Sequence, residues 1–84
     1  MIDTMPDTDA QSAADALSEA LGSAYTVTWE WHDRRARCIH VTIEGPDTVP
    51  YARLDALTTE IGRHEAHEAD EHHDWAETHV WTYV

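Results

Sequence analysis

The sequence predicts a small α+β protein of two layers, in which an antiparallel sheet packs on two helices. Apolar residues recur at helical spacing over residues 9–21 and again after residue 47, while apolar and polar residues alternate strictly over 24–32 and 37–45. The chain has 84 residues and 42% apolar content, which suits one domain with a core. We therefore expect a flexible tail over residues 1–8 and a single domain over 9–84.

The first helix is expected over residues 9–21. Aspartates precede it as capping residues, and Gly22 is a natural stop because glycine adopts the left-handed conformation that ends helices. Asp15 and Glu19 lie four residues apart and share the exposed face. The buried face consists of Ala10, Ala13, Ala14, Leu17 and Leu21.

A β-hairpin follows the first helix. AYTVTWEWH (24–32) and RCIHVTIEG (37–45) alternate with strand period around the polar turn DRRA. The second strand directs Ile39, Val41 and Ile43 one way and His40 the other, where His40 can meet Glu30 or Glu44 across the hairpin. Such a contact is typical of a hydrogen-bonded strand histidine. On the first strand, the side chains that share one face are Tyr25, Val27, Trp29 and Trp31.

A second helix is expected to begin at Asp47 or Thr48, with an apolar stripe that stops at Ile61. The next segment, RHEAHEADEHHDWAETH (63–79), has no apolar stripe at helical spacing. We interpret residues 64–77 as an exposed acidic, histidine-rich loop or a short solvent-facing helix. The last residues, THVWTYV, predict one further strand. The expected order is helix, strand, strand, helix, acidic segment, strand.

Charge is the strongest feature of the composition, with 17 acids, five arginines, no lysine and a net charge of −12. Residues 1–30 and residues 64–79 each contain six acids and no arginine. Such a chain repels nucleic acid and anionic membranes and is attracted to basic protein surfaces. The alternative is that the charge reflects only a salt-adapted proteome or a codon bias against lysine.

Other classes of function find little support in the sequence. With three glycines there is no phosphate-binding loop, and no serine or cysteine lies in a recognised nucleophile context, so we expect no enzyme and no cofactor. The single cysteine, Cys38, excludes an intrachain disulfide and favours a reducing compartment. The acidic N-terminus is unlike a signal peptide, and no apolar run reaches membrane-spanning length. We expect a cytoplasmic protein.

The candidate partner-binding residues are exposed acids and two tryptophans beside them. On a helix, carboxylates four residues apart lie about 6 Å from one another, close to the spacing of phosphates along a nucleic-acid strand. An exposed tryptophan beside acids is a typical interface anchor; Trp31, near the hairpin turn, and Trp75 are the tryptophans most expected at the surface. The candidates are Asp15, Glu19, Trp31, Glu65, Glu68, Asp70, Glu71, Asp74, Trp75 and Glu77.

A metal site is the alternative interpretation of the histidine-rich segment. Imidazoles three or four residues apart can chelate zinc or nickel, with acids as further ligands. The HExxH motif is absent, however, and histidine-rich tracts bind metals loosely whatever their purpose. The candidate ligands are His64, His67, His72 and His73.

The order of a helix, YTVTWEW, CIHVTIEGP and a second helix resembles one of the large polyvalent protein associated domains of phages and plasmids, over about residues 13–63. In size, acidity and α+β layout the chain is also similar to many anti-CRISPR and anti-restriction proteins. The resemblance implies an inhibitor that binds the basic nucleic-acid-binding surface of a complex such as a CRISPR effector and excludes DNA. It would act in the host cytoplasm, without binding nucleic acid itself, as a monomer or a weak homodimer.

Overall fold

The computed structural model describes residues 5–50, 52–53 and 64–84, with the backbone alone at 5–9 and 64–67. It contains α1 (Met5–Leu21), β1 (Thr26–Asp33), β2 (Cys38–Gly45), β3 (His64–Glu71) and β4 (Ala76–Tyr83). The four strands form one antiparallel sheet in the order β1-β2-β4-β3. The α+β class is therefore confirmed, and the elements of the described residues are one helix and a four-stranded sheet.

The second helix that the sequence predicts falls mostly outside the described residues. Within them, Ala52 and Arg53 are helical, and the Arg53 N–H donates to the Pro50 carbonyl over 3.0 Å. Tyr51 and residues 54–63, which carry the predicted stripe, lie outside the description. Packing of the sheet on two helices thus stays a prediction.

Helix α1 begins four residues earlier than predicted, so residues 5–8 are helical and do not belong to a tail. Pro6 falls in the first turn, where its missing N–H has no intrahelical partner to lose. At the other end Gly22 has φ +94° and donates its N–H to the Ser18 carbonyl over 3.0 Å, as predicted for a glycine stop. All five residues of the predicted buried face are buried: Ala10, Ala13, Ala14, Leu17 and Leu21.

The predicted hairpin is confirmed as β1 and β2. Its turn is held by the Asp33 carboxylate, which accepts the N–H groups of Arg35 and Ala36 over 3.1 and 3.2 Å. Arg37 closes the turn with φ 58° and bonds the Val84 carbonyl through its Nε over 3.0 Å. The bonds to Asp33 close the turn between the two strands, and the bond from Arg37 joins this turn to the end of the chain.

The core lies between α1 and one face of the sheet. Ile39, Val41 and Ile43 from β2 meet Leu17 of α1 and Val80 of β4, and all five are at most 1% exposed. Val49 is also fully buried and donates its N–H to the Thr78 hydroxyl over 2.9 Å, which satisfies that buried polar group. Partly buried side chains close the margin of the core: Tyr25, Val27, Trp29, Trp31 and Val84.

Trp31 is half-buried, so its predicted exposure was wrong. Its ring packs on the core and meets Trp29 edge-on at 5.7 Å, while the Arg34 guanidinium lies 4.9 Å above it. The alternation of β1 directs Trp31 inward even though it stands beside the turn.

The acidic segment forms an edge strand, a turn and the start of another strand, so the predicted loop or short helix was wrong. Strand β3 pairs along its length with β4, and residues 72–75 make the turn between them. The turn is closed by the N–H of His72, which donates to the Trp75 carbonyl over 2.8 Å. The pairing with β4 overrides the weak local preference of a run of acids and histidines for a strand.

The final strand was predicted correctly and occupies the sheet interior between β2 and β3. Its even-numbered residues are buried against the core, and its odd-numbered residues are half-buried on the other face. No helix in the described part of the chain is long and apolar enough to cross a membrane.

Candidate functional site

The face of the sheet that points away from α1 is polar; we call it the open face. Strand alternation brings the candidate residues Glu68, Asp70 and Glu77 to it, together with side chains that the sequence did not single out. The described residues of the open face include Thr28 and Glu30 of β1, His40, Thr42 and Glu44 of β2, Glu77, His79 and Trp81 of β4, and Glu68 and Asp70 of β3, none of which is fully buried.

Three carboxylates stand in a line across the open face; we call Glu44, Glu77 and Asp70 the carboxylate row. Glu44 is the direct partner of Glu77 across β2 and β4, and Glu77 is the direct partner of Asp70 across β4 and β3. Neighbouring strands are about 4.8 Å apart, and like charges placed directly opposite one another destabilise a sheet. The row is therefore an electrostatic cost that a cationic ligand would relieve.

A series of contacts between ring nitrogens and carboxylates crosses the open face beside the row; we call Glu30, His40, His79 and Glu77 the histidine chain. His40 Nδ1 lies 3.3 Å from Glu30 Oε2, and His40 Nε2 lies 2.8 Å from His79 Nδ1. His79 Nε2 lies 3.4 Å from Glu77 Oε1. The expected contact between His40 and Glu30 across the hairpin is thus confirmed, and it continues through His79 to the carboxylate row.

The contacts of the histidine chain depend on how many N–H protons its two imidazoles hold. An ionised carboxylate only accepts, so both end contacts need an N–H on the imidazole, and the contact between His40 and His79 needs one more. Two neutral imidazoles hold two N–H protons, so they can make two of the three contacts as hydrogen bonds at one time.

Trp81 fixes the two imidazoles in place. Its ring is stacked on His40 with 4.6 Å between centroids and an interplanar angle of 4°, and His79 lies 6.3 Å away. His40 and His79 are themselves stacked at 5.0 Å. Strand period puts His79 and Trp81 on one face of β4, but only the register of the sheet puts them beside His40.

The turn between β3 and β4 borders a shallow groove with a volume of about 470 Å³. Trp75 is 40% exposed, as predicted, and it is the only exposed large apolar residue in the described part of the chain. His72 stacks on its ring at 4.2 Å. We call this the turn groove; it is lined by Ala24, Glu44, Gly45, Pro46, Asp74 and Trp75.

Glu44 belongs both to the turn groove and to the carboxylate row, so the two features are continuous. Asp74 adds a second carboxylate to the groove, and its side chain is 86% exposed. An aromatic ring flanked by carboxylates suits the side chain of arginine or lysine.

Other predicted partner-binding residues lie apart from this region. Glu71 is exposed on the opposite side of β3, and the side chain of Glu65 is outside the description. Asp15 and Glu19 are exposed on α1, which packs against β1 at the far edge of the sheet from β3. Asp15 and Glu19 have the helical spacing that the sequence predicts. The acids of residues 64–77 lie on strands and in a turn, so they do not have the helical spacing expected for them.

The predicted metal ligands are only partly described. His72 and His73 are neighbours in the turn but take different partners, Glu77 at 3.5 Å and Asp74 at 3.7 Å. The structure describes only the backbone of His64 and His67. A different set comes together on the open face, where ligand atoms of Asp70, Glu77 and His79 lie within 4.8 Å of one another.

A comparison with models of known protein families gives no match. Searches among curated proteins and among solved structures give no significant match either.

Proposed function

We propose that the protein is a non-enzymatic acidic binding module that receives cationic side chains of a basic protein partner. The observation that supports this most directly is the carboxylate row, which leads into a groove containing the exposed Trp75. Rows of like charge weaken a free sheet and bind a cation well, so they are expected where binding matters more than stability.

Arginine fits the turn groove better than lysine does. A guanidinium is planar, stacks on aromatic rings and donates to carboxylates through several N–H groups. The chain already uses this contact internally, with Arg34 lying 4.9 Å over Trp31 and Arg53 lying 5.9 Å over Tyr25. We propose that an arginine of the partner stacks on Trp75 and donates to Glu44 and Asp74.

A partner with several cations would extend from the groove along the open face. Acids two residues apart on a strand, such as Glu68 and Asp70, are spaced by about 6.8 Å, and the carboxylate row runs across them. This array suits a surface that otherwise holds the phosphates of nucleic acid. We therefore propose that the partner is a nucleic-acid-handling protein, such as a CRISPR effector, whose DNA access the module blocks.

Charge-matched variants test the cation site. Glu44→Gln/Asp74→Asn removes two charges from the groove, and Asp15→Asn/Glu19→Gln removes two from α1. With a nona-arginine peptide in about 0.1 M salt, we expect the groove variant to bind about tenfold more weakly, which corresponds to about 1.4 kcal/mol. The helix variant should change little. Equal weakening in both variants would mean that only the total charge attracts the peptide.

A second comparison isolates the tryptophan. Trp75→Ala keeps the charge, and we expect it to abolish any preference for nona-arginine over nona-lysine. If the wild-type protein binds both peptides equally, the proposed stacking on Trp75 is wrong.

The proposed class of partner has its own test. Adding the protein to a CRISPR effector should displace bound DNA, and the groove variant should displace less. If micromolar protein leaves the DNA bound, this effector is not the partner, whereas the peptide measurements would still decide whether the groove binds cations.

A further inference from the structure

We infer that Asp70, Glu77 and His79 form a binding site for a divalent transition metal of the zinc class. This site shares Asp70 and Glu77 with the carboxylate row but uses no residue that lines the turn groove, and it does not depend on the proposed function. It also differs from the histidine set that the sequence suggests, because the two sets have no residue in common.

The fold places the three ligands on rigid, paired backbone. Asp70 is directly opposite Glu77, and His79 follows Glu77 by two residues on the same face of β4. Their ligand atoms lie within 4.8 Å of one another. His79 Nε2 and Glu77 Oε1 are 3.4 Å apart, which is about the ligand separation in a tetrahedral site with bonds of about 2.0–2.1 Å. Small side-chain rotations would bring Asp70 to the same centre.

His72 approaches the same carboxylate from the turn. Its Nε2 lies 3.5 Å from Glu77 Oε1, the oxygen that also faces His79 Nε2. His72 is nevertheless not among the ligand atoms that lie within 4.8 Å of one another, so the site consists of one imidazole and two carboxylates. An imidazole nitrogen among the ligands favours zinc, nickel or cobalt over calcium and magnesium, which prefer oxygen alone.

The histidine chain orients His79 for this role. With a metal on His79 Nε2, the His79 Nδ1–H donates to His40 Nε2, and the His40 Nδ1–H donates to Glu30. Metal-bound histidines commonly have their second nitrogen held by such a partner, and loss of the partner weakens binding about 10–100-fold.

The cation also relieves the repulsion between Asp70 and Glu77, which face each other directly. This repulsion and the oriented imidazole are separate observations, and both indicate a cation at the same place.

Calorimetric titration of the full chain with zinc chloride tests the site. We expect one ion per chain, and we expect His79→Ala and Asp70→Asn each to bind at least about tenfold more weakly. The matched control is His73→Ala, because His73 lies in the same turn, is 96% exposed and faces Asp74. It should bind zinc like the wild type.

His40→Ala separates an oriented site from a loose one. It removes no ligand, yet it should weaken zinc binding about tenfold or more. Cobalt bound to the wild type should show the intense visible absorption of tetrahedral coordination, and His79→Ala should lose it. If circular dichroism shows that His79→Ala is unfolded, the zinc affinity of Asp70→Asn, which changes a residue on the exposed edge strand, tests the site instead.

Three results would overturn the site. One is the absence of zinc binding tighter than tens of micromolar. Another is a His64→Ala/His67→Ala variant that loses as much affinity as His79→Ala, since that would indicate a loose histidine tract. The third is unchanged zinc affinity in Asp70→Asn. Glu44→Gln/Asp74→Asn should keep zinc binding while losing peptide binding, so the two sites can fail independently.

Discussion

At the scale of single residues, Tyr25 and Gly45 connect the start of the sheet to the loop after β2. Gly45 leaves room for the Tyr25 ring, because an added Cβ would overlap the ring carbons. The Tyr25 hydroxyl donates to the Asp47 carboxylate, and the Arg53 guanidinium lies over the ring. The contacts among these residues hold the loop that borders the turn groove.

Gly45→Ala should therefore displace Tyr25 and destabilise the fold by about 1–3 kcal/mol, the usual range for overpacking. Urea unfolding measures this difference. Gly45→Ala combined with Tyr25→Ala provides the control, because the second change removes the overlap. If Gly45→Ala costs as much in that background, the overlap is not the cause.

The same tyrosine predicts a dependence of stability on alkaline pH. Its hydrogen bond to Asp47, and then burial, raise the pKa of Tyr25 above 10.0, although the hydrogen bond to Arg53 acts the other way. Because the folded state holds this proton more tightly, the contribution is complete below about pH 10 and is lost as the pH rises through the folded pKa. Tyr25→Phe should show a smaller fall in unfolding free energy above pH 10 than the wild type. Parallel pH curves would contradict this prediction.

At the scale of elements, the sequence predicts α1, the hairpin and β4 because each has one apolar face with a clear period. It does not predict β3, because HEAHEADE has no apolar face at period 2 or at helical spacing. That strand is set by its pairing with β4, which is a tertiary effect. The site follows the same rule: single strands predict which residues share a face, but only the register joins Glu44 to Glu77 and His40 to His79.

The carboxylate row predicts that a charge removed from it stabilises the free protein. Glu44→Gln should raise the free energy of unfolding by about 0.2–1 kcal/mol, because it removes a like charge directly opposite Glu77. Glu44 is a better choice than Glu77, which also faces His72 and His79. The matched control is Glu19→Gln on α1. If Glu44→Gln is no more stable than this control, repulsion within the carboxylate row does not destabilise the free protein.

The acids of strand β3 are expected to keep the protein from associating through its sheet edge. It forms one edge of the sheet, where unpaired backbone groups can pair with another copy unless charges prevent it. Glu68→Val/Glu71→Val should therefore form dimers or larger species in sedimentation velocity. Asp15→Val/Glu19→Val, on the exposed face of α1, has the same loss of charge and provides the control. A monomeric edge variant would show that these acids do not protect the edge.

At the scale of the whole molecule, the net charge of −12 has two explanations that salt can separate. Salt adaptation alone predicts that the protein folds only in molar salt. A binding surface predicts a protein that is already folded in about 0.1 M salt, where the screening length is about 10 Å, and that gains some stability as salt is added. Thermal melting across this range distinguishes them. A chain that is unfolded below molar salt would favour adaptation.

The central claim is that the acids around Trp75 form a defined cation site and do not simply add to a diffuse charge. Residue-resolved NMR during titration with nona-arginine tests it most directly. We predict that the Trp75 indole and the amides of Glu44 and Asp74 shift first and most, while those of Asp15 and Glu19 stay nearly constant. Shifts of equal size on α1 and in the turn groove would contradict the claim.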